Sequence, residues 1–212
     1  MEPFPFERKK HLYLSTAFVE LVKDAVRFFN GTPVHELRAL TPFDGAGVYG
    51  LYYTGPLPLY APYVALNRLA YNVPLYVGKA VPRGWRQGRA GADGQRPGRE
   101  LFQRLQEHAR SLGATADLNP ADFQCRLLIF EGAATDMIGT LEAALIKIHR
   151  PLWNSTVDGF GNHDPGRGRR QQAASAWDVL HPGRPWAQKL GGTAHSRETV
   201  LAAIQAHFQE YL

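Results

Sequence analysis

The chain has 212 residues, of which 44% are hydrophobic, 20% charged and 11% aromatic. These fractions suffice for a buried core and exclude a globally disordered chain. Lysine and arginine number 24 against 19 acidic residues, which gives a formal net charge of +5. That basic excess is modest, and the distribution of the basic residues along the chain is more informative than their number.

The single cysteine, Cys125, excludes an intrachain disulfide and a cysteine-rich metal site. It lies in the apolar run 123–130, which is typical of a buried small hydrophobic residue. Residues 1–10 lack the apolar stretch of a signal peptide, and no run approaches the ~20 apolar residues of a membrane span. We therefore expect a soluble cytoplasmic protein without a membrane partner.

The first predicted element is a helix over residues 15–30. Ser15 is a favourable N-cap and Gly31 a favourable stop. The apolar residues that recur at helical spacing are Val19, Val22, Val26 and Phe29.

Two strands and two loops follow. Residues 45–53 are rich in Val, Leu and Tyr and predict a strand, and residues 75–81 predict a second one. Between them, residues 54–74 contain four prolines and predict an irregular insertion loop. Residues 84–98 are rich in glycine and arginine and predict a further loop.

The next helices flank a third strand. Residues 99–112 predict a helix that ends at Gly113, residues 123–130 a strand, and residues 135–149 a helix that Pro151 prevents from continuing. The predicted apolar stripes are Leu101, Leu105, Ala109 and Leu112 on the first helix, and Ile138, Leu141, Leu145 and Ile148 on the second.

The C-terminal part begins with a glycine-rich loop over residues 158–170 and ends with an amphipathic helix over residues 196–211. Val200, Ile204 and Phe208 align on one face of that helix.

This order of elements predicts an α+β fold, an α/β sandwich in which helices flank a small, mainly antiparallel sheet of three strands. An N-terminal helix, the insertion loop and a C-terminal helical extension complete it. We expect one elaborated domain over residues 1–212, with its core at about 45–155, the insertion at 54–74 and the extension at 156–212.

Clustered arginines are the candidate DNA contacts, because the planar guanidinium bonds two acceptors at once and suits phosphates and guanine edges. For any one of them the alternative is a solvated basic loop. The candidates are Arg83, Arg86, Arg89, Arg96 and Arg99 in the first cluster, and Arg167, Arg169 and Arg170 in the second.

The candidate catalytic residues occur in a fixed order along half of the chain. They are Tyr49 in Gly-Val-Tyr, Tyr76 and Lys79 in Tyr-Val-Gly-Lys, Arg104 and His108 four residues apart, Glu142 in Glu-Ala-Ala-Leu-Ile, and Asn154 after Pro151. In that order they resemble the GIY-YIG nuclease family, and the glutamate helix followed by proline and asparagine is the most specific part of the match. The resemblance implies a GIY-YIG sheet and the hydrolysis of DNA phosphodiesters with a tyrosine, an arginine and one metal ion held by glutamate.

Hydrolysis requires the attacking water to lose a proton, and the resemblance makes Tyr49 the candidate general base. A free tyrosine has a pKa of ~10 and is a poor base at neutral pH. We expect nearby cations, Lys79, Arg104 and a metal ion, to lower that pKa. Tyr52 and Tyr53 are alternatives, because the two tyrosine motifs lie farther apart than is usual in the family.

The remaining roles are also implied by the resemblance. Tyr76 would position the nucleophile, Lys79 would hold a phosphate, and Arg104 would stabilise charge on the phosphoryl oxygens. His108 shares a helix face with Arg104 and would relay the proton from Tyr49. Many relatives carry a tyrosine in its place, so the proton acceptor is Tyr49, His108 or both in relay.

Glu142 is a carboxylate in a helix otherwise rich in Leu, Ile and Ala, and the alternative is a solvent-facing glutamate on an amphipathic helix. As a hard oxygen ligand it suits Mg²⁺, and a single dedicated carboxylate favours one Mg²⁺ ion per active site, with Mn²⁺ as a substitute. Asn154 would support the site. The segment 162–165 contains His163 and Asp164, but it lacks a second ligand cluster and predicts a loop near the DNA.

We interpret the chain as a site-specific double-stranded DNA endonuclease, a type II restriction enzyme that cuts a short GC-rich palindrome. A palindromic target requires two-fold symmetry and predicts a homodimer, with the first and last helices as its interface. A cognate DNA methyltransferase is the implied functional partner. The alternatives are a homing or repair nuclease of the same family and a catalytically inactive DNA-binding module.

Overall fold

A computed structural model describes residues 5–85 and 98–212. Three of the predicted DNA contacts, Arg86, Arg89 and Arg96, lie outside the described residues.

One antiparallel sheet forms the centre of the fold, in the spatial order β1-β4-β2-β3. Its strands are β1 (Val34–Glu36), β2 (Ala46–Tyr53), β3 (Tyr76–Ala80) and β4 (Phe123–Phe130). The predicted α+β class and the mainly antiparallel sheet are confirmed, but the count of three strands is wrong. The additional strand, β1, is three residues long and is held by its pairing to β4, so it is too short to show a periodic pattern.

Strand β2 lies between β4 and β3, and all eight of its residues are buried. A strand that is covered on both faces does not need alternating polar residues, which explains the poor alternation of its sequence. Tyr49, in its middle, is paired with Gly78 of β3 and with Leu127 of β4.

The helices cover both faces of this sheet. They are α1 (Thr16–Gly31), α2 (Ala61–Asn67), α3 (Glu100–Gly113), α4 (Ile138–His149), α5 (Leu152–Ser155), α6 (Ala176–Leu180) and α7 (Arg197–Tyr211). Helices α1 and α4 pack on the face that contains Val48 and Val77. Helix α3 and residues of the C-terminal extension pack on the other face, which contains Tyr49 and Leu51.

The apolar stripes of α3 and α7 are buried or packed against the core as predicted. Three residues of the other stripes are not, and of these Val22 of α1 is half-buried. Val19 of α1 is 49% exposed and Ile148 of α4 is 59% exposed, while Ala25 and Ile146 pack against the core instead.

The insertion over residues 54–74 was predicted to be irregular, and that prediction is wrong. A 3-10 turn, Pro58–Tyr60, leads directly into α2. Pro62 lies in the first turn of α2, where a helix does not need the missing N–H group, so the prolines do not prevent the helix.

Within the described ranges, no helix combines the length and the apolar character that crossing a membrane requires.

Candidate active site

The close approach of β2 and β3 determines the position of Tyr49. The side chain of Tyr49 is fully buried, and a Cβ atom built on Gly78 would lie 2.3 Å from Tyr49 Oη. Only glycine leaves room for the phenol there. This steric requirement explains why the third residue of the Tyr-Val-Gly sequence is a glycine.

Tyr49 is hydrogen-bonded to His108 of helix α3, with 2.5 Å between Tyr49 Oη and His108 Nε2. His108 is buried, and burial together with the charge of Arg104 holds its pKa well below the usual value. His108 is therefore neutral near pH 7. With the ring proton on Nδ1, its Nε2 accepts the hydrogen bond that Tyr49 donates.

The expectation that cations lower the pKa of Tyr49 is not met by the protein alone. Burial raises the Tyr49 pKa well above 10, the neighbouring Tyr76 adds to this, and Arg104 acts in the opposite direction with a smaller effect. The pKa of Tyr76 is also raised, again mainly by burial. Tyr49 is therefore a protonated hydrogen-bond donor in this state.

Tyr49 is the member of the three candidate tyrosines that is bonded to His108. Tyr52 packs edge-to-face against Tyr71, with ring centroids 5.7 Å apart. The hydroxyl of Tyr53 accepts a hydrogen bond from the backbone N–H of Leu57 at 3.0 Å.

Arg104 is fixed by three partners, and its side chain is only 17% exposed. Nη1 donates to Glu107 Oε2 at 2.9 Å and to His163 Nε2 at 2.7 Å, and Nη2 donates to the carbonyl of Gly161 at 2.7 Å. A guanidinium held in this way is preorganised for an anionic group.

A segment of the C-terminal extension closes the site above Arg104. The ring of Phe160 stacks on His108, with centroids 4.4 Å apart, and meets Tyr76 edge-on at 5.0 Å. A Cβ atom on Gly161 would lie 2.5 Å from Tyr76 Oη. The glycine-rich segment 158–170, predicted only as a loop, therefore includes part of the wall of the site.

Glu142 of α4 forms an ion pair with Lys79 of β3. The two side chains are 19% and 35% exposed, so both remain accessible. The negative charge of Glu142 is among the smaller causes that raise the pKa of Tyr49 and Tyr76, as expected for a neighbouring carboxylate.

Within residues 5–85 and 98–212, no group of three or more His, Cys, Asp or Glu residues could form a metal cluster. Glu142 therefore belongs to no cluster of three such residues in these ranges, and it offers one carboxylate. That donor set fits Mg²⁺, which is commonly held by one or two carboxylates while water and substrate phosphate complete its coordination.

Asn154 lies in the short helix α5 beside β3, the edge strand of the sheet. Its Oδ1 accepts the backbone N–H of Val77 at 2.8 Å, and its Nδ2 donates to the carbonyl of Val77 at 2.8 Å. The amide replaces the neighbouring strand that β3 lacks on this side.

The predicted DNA-binding arginines that the structure describes are all exposed: Arg83, Arg99, Arg167, Arg169 and Arg170. Arg99 Nε is bonded to Asp44 Oδ1 at 3.0 Å. Arg169 lines a cavity of about 350 Å³ together with Asn162 and His163, so the second cluster adjoins the partners of Arg104.

Several residues of the site were not predicted from the sequence. Glu107 carried a usable signal, because it lies three positions after Arg104 on the same helix. Phe160 and Gly161 carried none, since their partners lie more than 50 positions away in the sequence. His163 was expected in a loop near the DNA, but its contact with Arg104, 59 positions away, was not predicted.

The family model described as the Eco29kI GIY-YIG domain, a restriction endonuclease family, matches residues 41–208. The match covers most of the chain and includes every candidate catalytic residue. No curated protein matches the chain significantly.

Proposed function

Because the chain belongs to the Eco29kI GIY-YIG family of restriction endonucleases, we propose that it is a type II restriction enzyme that cuts double-stranded DNA at a specific short sequence with Mg²⁺. The family gives a nuclease domain that acts on DNA. The observation that supports catalysis by this chain is the hydrogen bond between buried Tyr49 and neutral His108, beside the fixed guanidinium of Arg104.

In the proposed mechanism, the proton of the attacking water moves to Tyr49 Oη while Tyr49 passes its own proton to His108 Nε2. This relay avoids a free phenolate, which burial disfavours. The neutral ring of His108 has an Nε2 lone pair that can accept the proton, while burial and Arg104 disfavour the imidazolium that forms. The relay therefore requires the negative charge of the bound phosphate to stabilise that imidazolium. Of the alternatives for the proton acceptor, the 2.5 Å contact favours both residues in relay.

Arg104 would donate to the phosphoryl oxygens as negative charge develops on them. Its contacts with Glu107 and Gly161 fix the guanidinium before the substrate arrives, so little reorganisation is needed. Lys79, which is partly exposed beside Glu142, would contact a neighbouring phosphate. Tyr76 would position the attacking water. Asn154 would keep β3, the strand that carries Tyr76 and Lys79, in place.

Glu142 would hold the metal ion. A bound Mg²⁺ would polarise the phosphoryl group and neutralise the leaving 3′ oxygen. The accessible carboxylate supports this assignment, and Mn²⁺ is the expected substitute because it accepts the same oxygen ligands.

Specificity for a GC-rich palindrome would come from the exposed arginines, whose guanidinium groups suit guanine edges. Two-fold symmetric cutting requires a homodimer. An apolar stripe on α1 and the residues before it supports this proposal, because its members are exposed: Leu14 81%, Phe18 50%, Leu21 50% and Phe28 63%. A cognate DNA methyltransferase would protect host DNA from this activity.

The proposal is tested by incubating the purified protein with a long DNA of known sequence, in Mg²⁺ and in EDTA. We expect discrete Mg²⁺-dependent fragments whose mapped ends give the target. A smear would indicate an unspecific or repair-type nuclease, and binding without cutting would indicate an inactive DNA-binding module.

A pair of variants makes the test specific for the metal-binding role. Glu142→Gln should abolish cleavage while DNA binding persists, because an amide is a weak ligand for Mg²⁺. Glu210→Gln alters an exposed carboxylate on α7 and should cut like the wild type. Normal cutting by Glu142→Gln would remove Glu142 from the metal site.

A further inference from the structure

A buried ion pair in the C-terminal extension lies outside the set of residues assigned to the reaction. Arg184 donates from Nε to Asp178 Oδ1 at 2.7 Å and from Nη2 to Asp178 Oδ2 at 2.6 Å. The two side chains are 2% and 3% exposed. The guanidinium carbon lies 4.5 Å from the ring centroid of Trp177 and 4.5 Å from that of Trp186. Burying two charges costs so much desolvation that such a pair is weak evidence for a stabilising role.

The remaining donors of Arg184 bind the backbone of one short segment. Nη2 donates to the carbonyl of Gly159 at 2.9 Å, and Nη1 donates to those of Phe160 at 3.1 Å and Asn162 at 3.3 Å. The carbonyl between them, that of Gly161, accepts from Arg104 at 2.7 Å. Four consecutive carbonyls, residues 159–162, are thus bonded to two guanidinium groups.

The same segment contacts two more of the proposed catalytic side chains. Phe160 stacks on His108, and Gly161 lies against Tyr76 so closely that a Cβ atom would not fit. Gly159 has a φ of +100°, and a Cβ atom there would lie 2.0 Å from Ser175 Oγ. The backbone of the segment therefore has little freedom while Arg184 holds it.

We propose, on the basis of the nuclease function above, that Arg184 and Asp178 are positioning residues for Arg104 and act through the carbonyl groups of residues 159–162. Asp178 fixes the plane of the Arg184 guanidinium, Arg184 fixes the peptide segment, and the segment fixes Arg104. A displacement of about 1 Å at a catalytic group can cost on the order of 100-fold in rate, so a remote anchor of this kind has a measurable effect.

The test is the variant Arg184→Lys, which keeps the positive charge but loses the planar set of donors. We expect its single-turnover cleavage rate in Mg²⁺ to fall about 10- to 100-fold, while its affinity for DNA without metal stays within about 2-fold. The matched control is Arg197→Lys in the same extension. Arg197 donates to the carbonyl of Leu180 and should tolerate the change at full cleavage rate.

A second readout separates positioning from a general loss of stability. The side-chain N–H signals of Arg104 in a nitrogen-15 spectrum report its hydrogen bonds without any cleavage. They should broaden or shift in Arg184→Lys and stay unchanged in Arg197→Lys. A folded Arg184→Lys with unchanged Arg104 signals and wild-type cleavage, even with a lower melting temperature, would overturn the proposal.

The two proposals fail in different ways. If the wild type does not cut DNA, the nuclease function fails, while the Arg104 signals still test the positioning role. If Arg184→Lys does not fold, Trp186→Leu replaces it, because that change removes one stacking face and keeps both charges. Trp186→Leu should then alter the Arg104 signals in the same direction, and unchanged signals would count against the proposal.

Discussion

At the scale of single residues, the contact between Tyr49 and His108 is possible because Gly78 has no Cβ atom. The change Gly78→Ala would place a Cβ atom 2.3 Å from Tyr49 Oη in a buried part of the sheet. We expect a loss of about 1–3 kcal/mol of folding stability from overpacking. Cleavage measured below the melting temperature should fall at least 10-fold, because Tyr49 is displaced from His108.

A matched control is Gly139→Ala in α4, where the new Cβ atom would lie 3.7 Å from Trp85, an ordinary contact. This variant should cut normally and gain up to about 1 kcal/mol from helix propensity. Wild-type cleavage by Gly78→Ala would show that the precise position of Tyr49 is unimportant.

The depressed pKa of His108 predicts a pH dependence of stability. In the unfolded chain a histidine binds a proton near pH 6.5, whereas burial and Arg104 keep His108 neutral to lower pH in the folded protein. Its contribution is therefore fully present above pH 6.5 and is lost as the pH falls toward the folded pKa. The slope for this one group reaches about 1.4 kcal/mol per pH unit.

His108→Gln removes that contribution. The melting temperature of the variant should therefore fall less steeply than that of the wild type between pH 6.5 and pH 5. Other histidines with lowered pKa values, His149, His181 and His207, act in the same direction in both proteins, so the difference between the two curves is the quantity to measure. Parallel curves of melting temperature against pH for the two proteins would contradict the lowered pKa of His108.

The candidate site residues came from their order along the chain, which resembles the GIY-YIG family; the i, i+4 spacing of Arg104 and His108 alone would indicate only a polar helix face. The sequence did not predict Arg184, because an arginine near tryptophans has no sequence signal that distinguishes a buried anchor from a surface residue. Its partners, residues 159–162 and Asp178, are brought to it only by the folding of the extension.

At the scale of elements, the side chain of Asn154 bonds the backbone of Val77 on the open side of edge strand β3. Asn154→Ala would leave the backbone N–H and carbonyl of Val77 without their partners. We expect a loss of about 1–3 kcal/mol in the free energy of unfolding and faster hydrogen exchange at the Val77 amide. Tyr76 and Lys79 lie on the same strand, so cleavage should fall as well.

The control for this variant is Asn119→Ala. Asn119 is exposed and accepts one backbone N–H, that of Ala121, at 3.0 Å. Asn119→Ala should lower the free energy of unfolding by less than Asn154→Ala does. It should also leave hydrogen exchange at the Val77 amide unchanged. Unchanged Val77 exchange in Asn154→Ala would show that the strand does not depend on the amide.

Elements with a long apolar stripe were predictable, as α3 and α7 show. Elements that depend on tertiary partners were not. Strand β1 exists because β4 pairs with it, and α2 begins within a proline-rich segment whose buried tyrosines, Tyr60 and Tyr63, join the core. Pairing and burial of this kind leave no periodic pattern in so few residues.

At the scale of the whole molecule, the C-terminal extension and the nuclease sheet share one core. Phe160 and Trp177 of the extension pack in the same buried cluster as Tyr49 and Leu105. The extension thus supplies both the wall of the site and the anchor of Arg104. The sequence placed residues 162–165 in a loop near the DNA, but it did not predict the contacts of this segment with Arg104 and Arg184, because only folding brings those partners together.

The apolar stripe of α1 predicts the oligomeric state. Arg126 donates to the carbonyls of Asn30 and Thr32 and so holds the C-terminal end of α1 against β4, which leaves Phe28 facing outward, 63% exposed. A helix anchored at its end and apolar on its outer face is suited to pairing with a second copy. We expect the wild type to sediment as a dimer in the presence of DNA.

Phe28→Glu should sediment as a monomer, because a charge cannot be buried at that interface without a large desolvation cost. Its melting temperature at low protein concentration should match that of the wild type, since Phe28 is largely exposed in the single chain. Plasmid DNA should be nicked rather than linearised, as one active site cuts one strand.

Leu69→Glu, at a position in the insertion that is 93% exposed, should leave both dimer and linear product intact. A Phe28→Glu variant that stays dimeric and linearises DNA would place the interface elsewhere, and a monomeric wild type that cuts both strands would remove the need for a dimer.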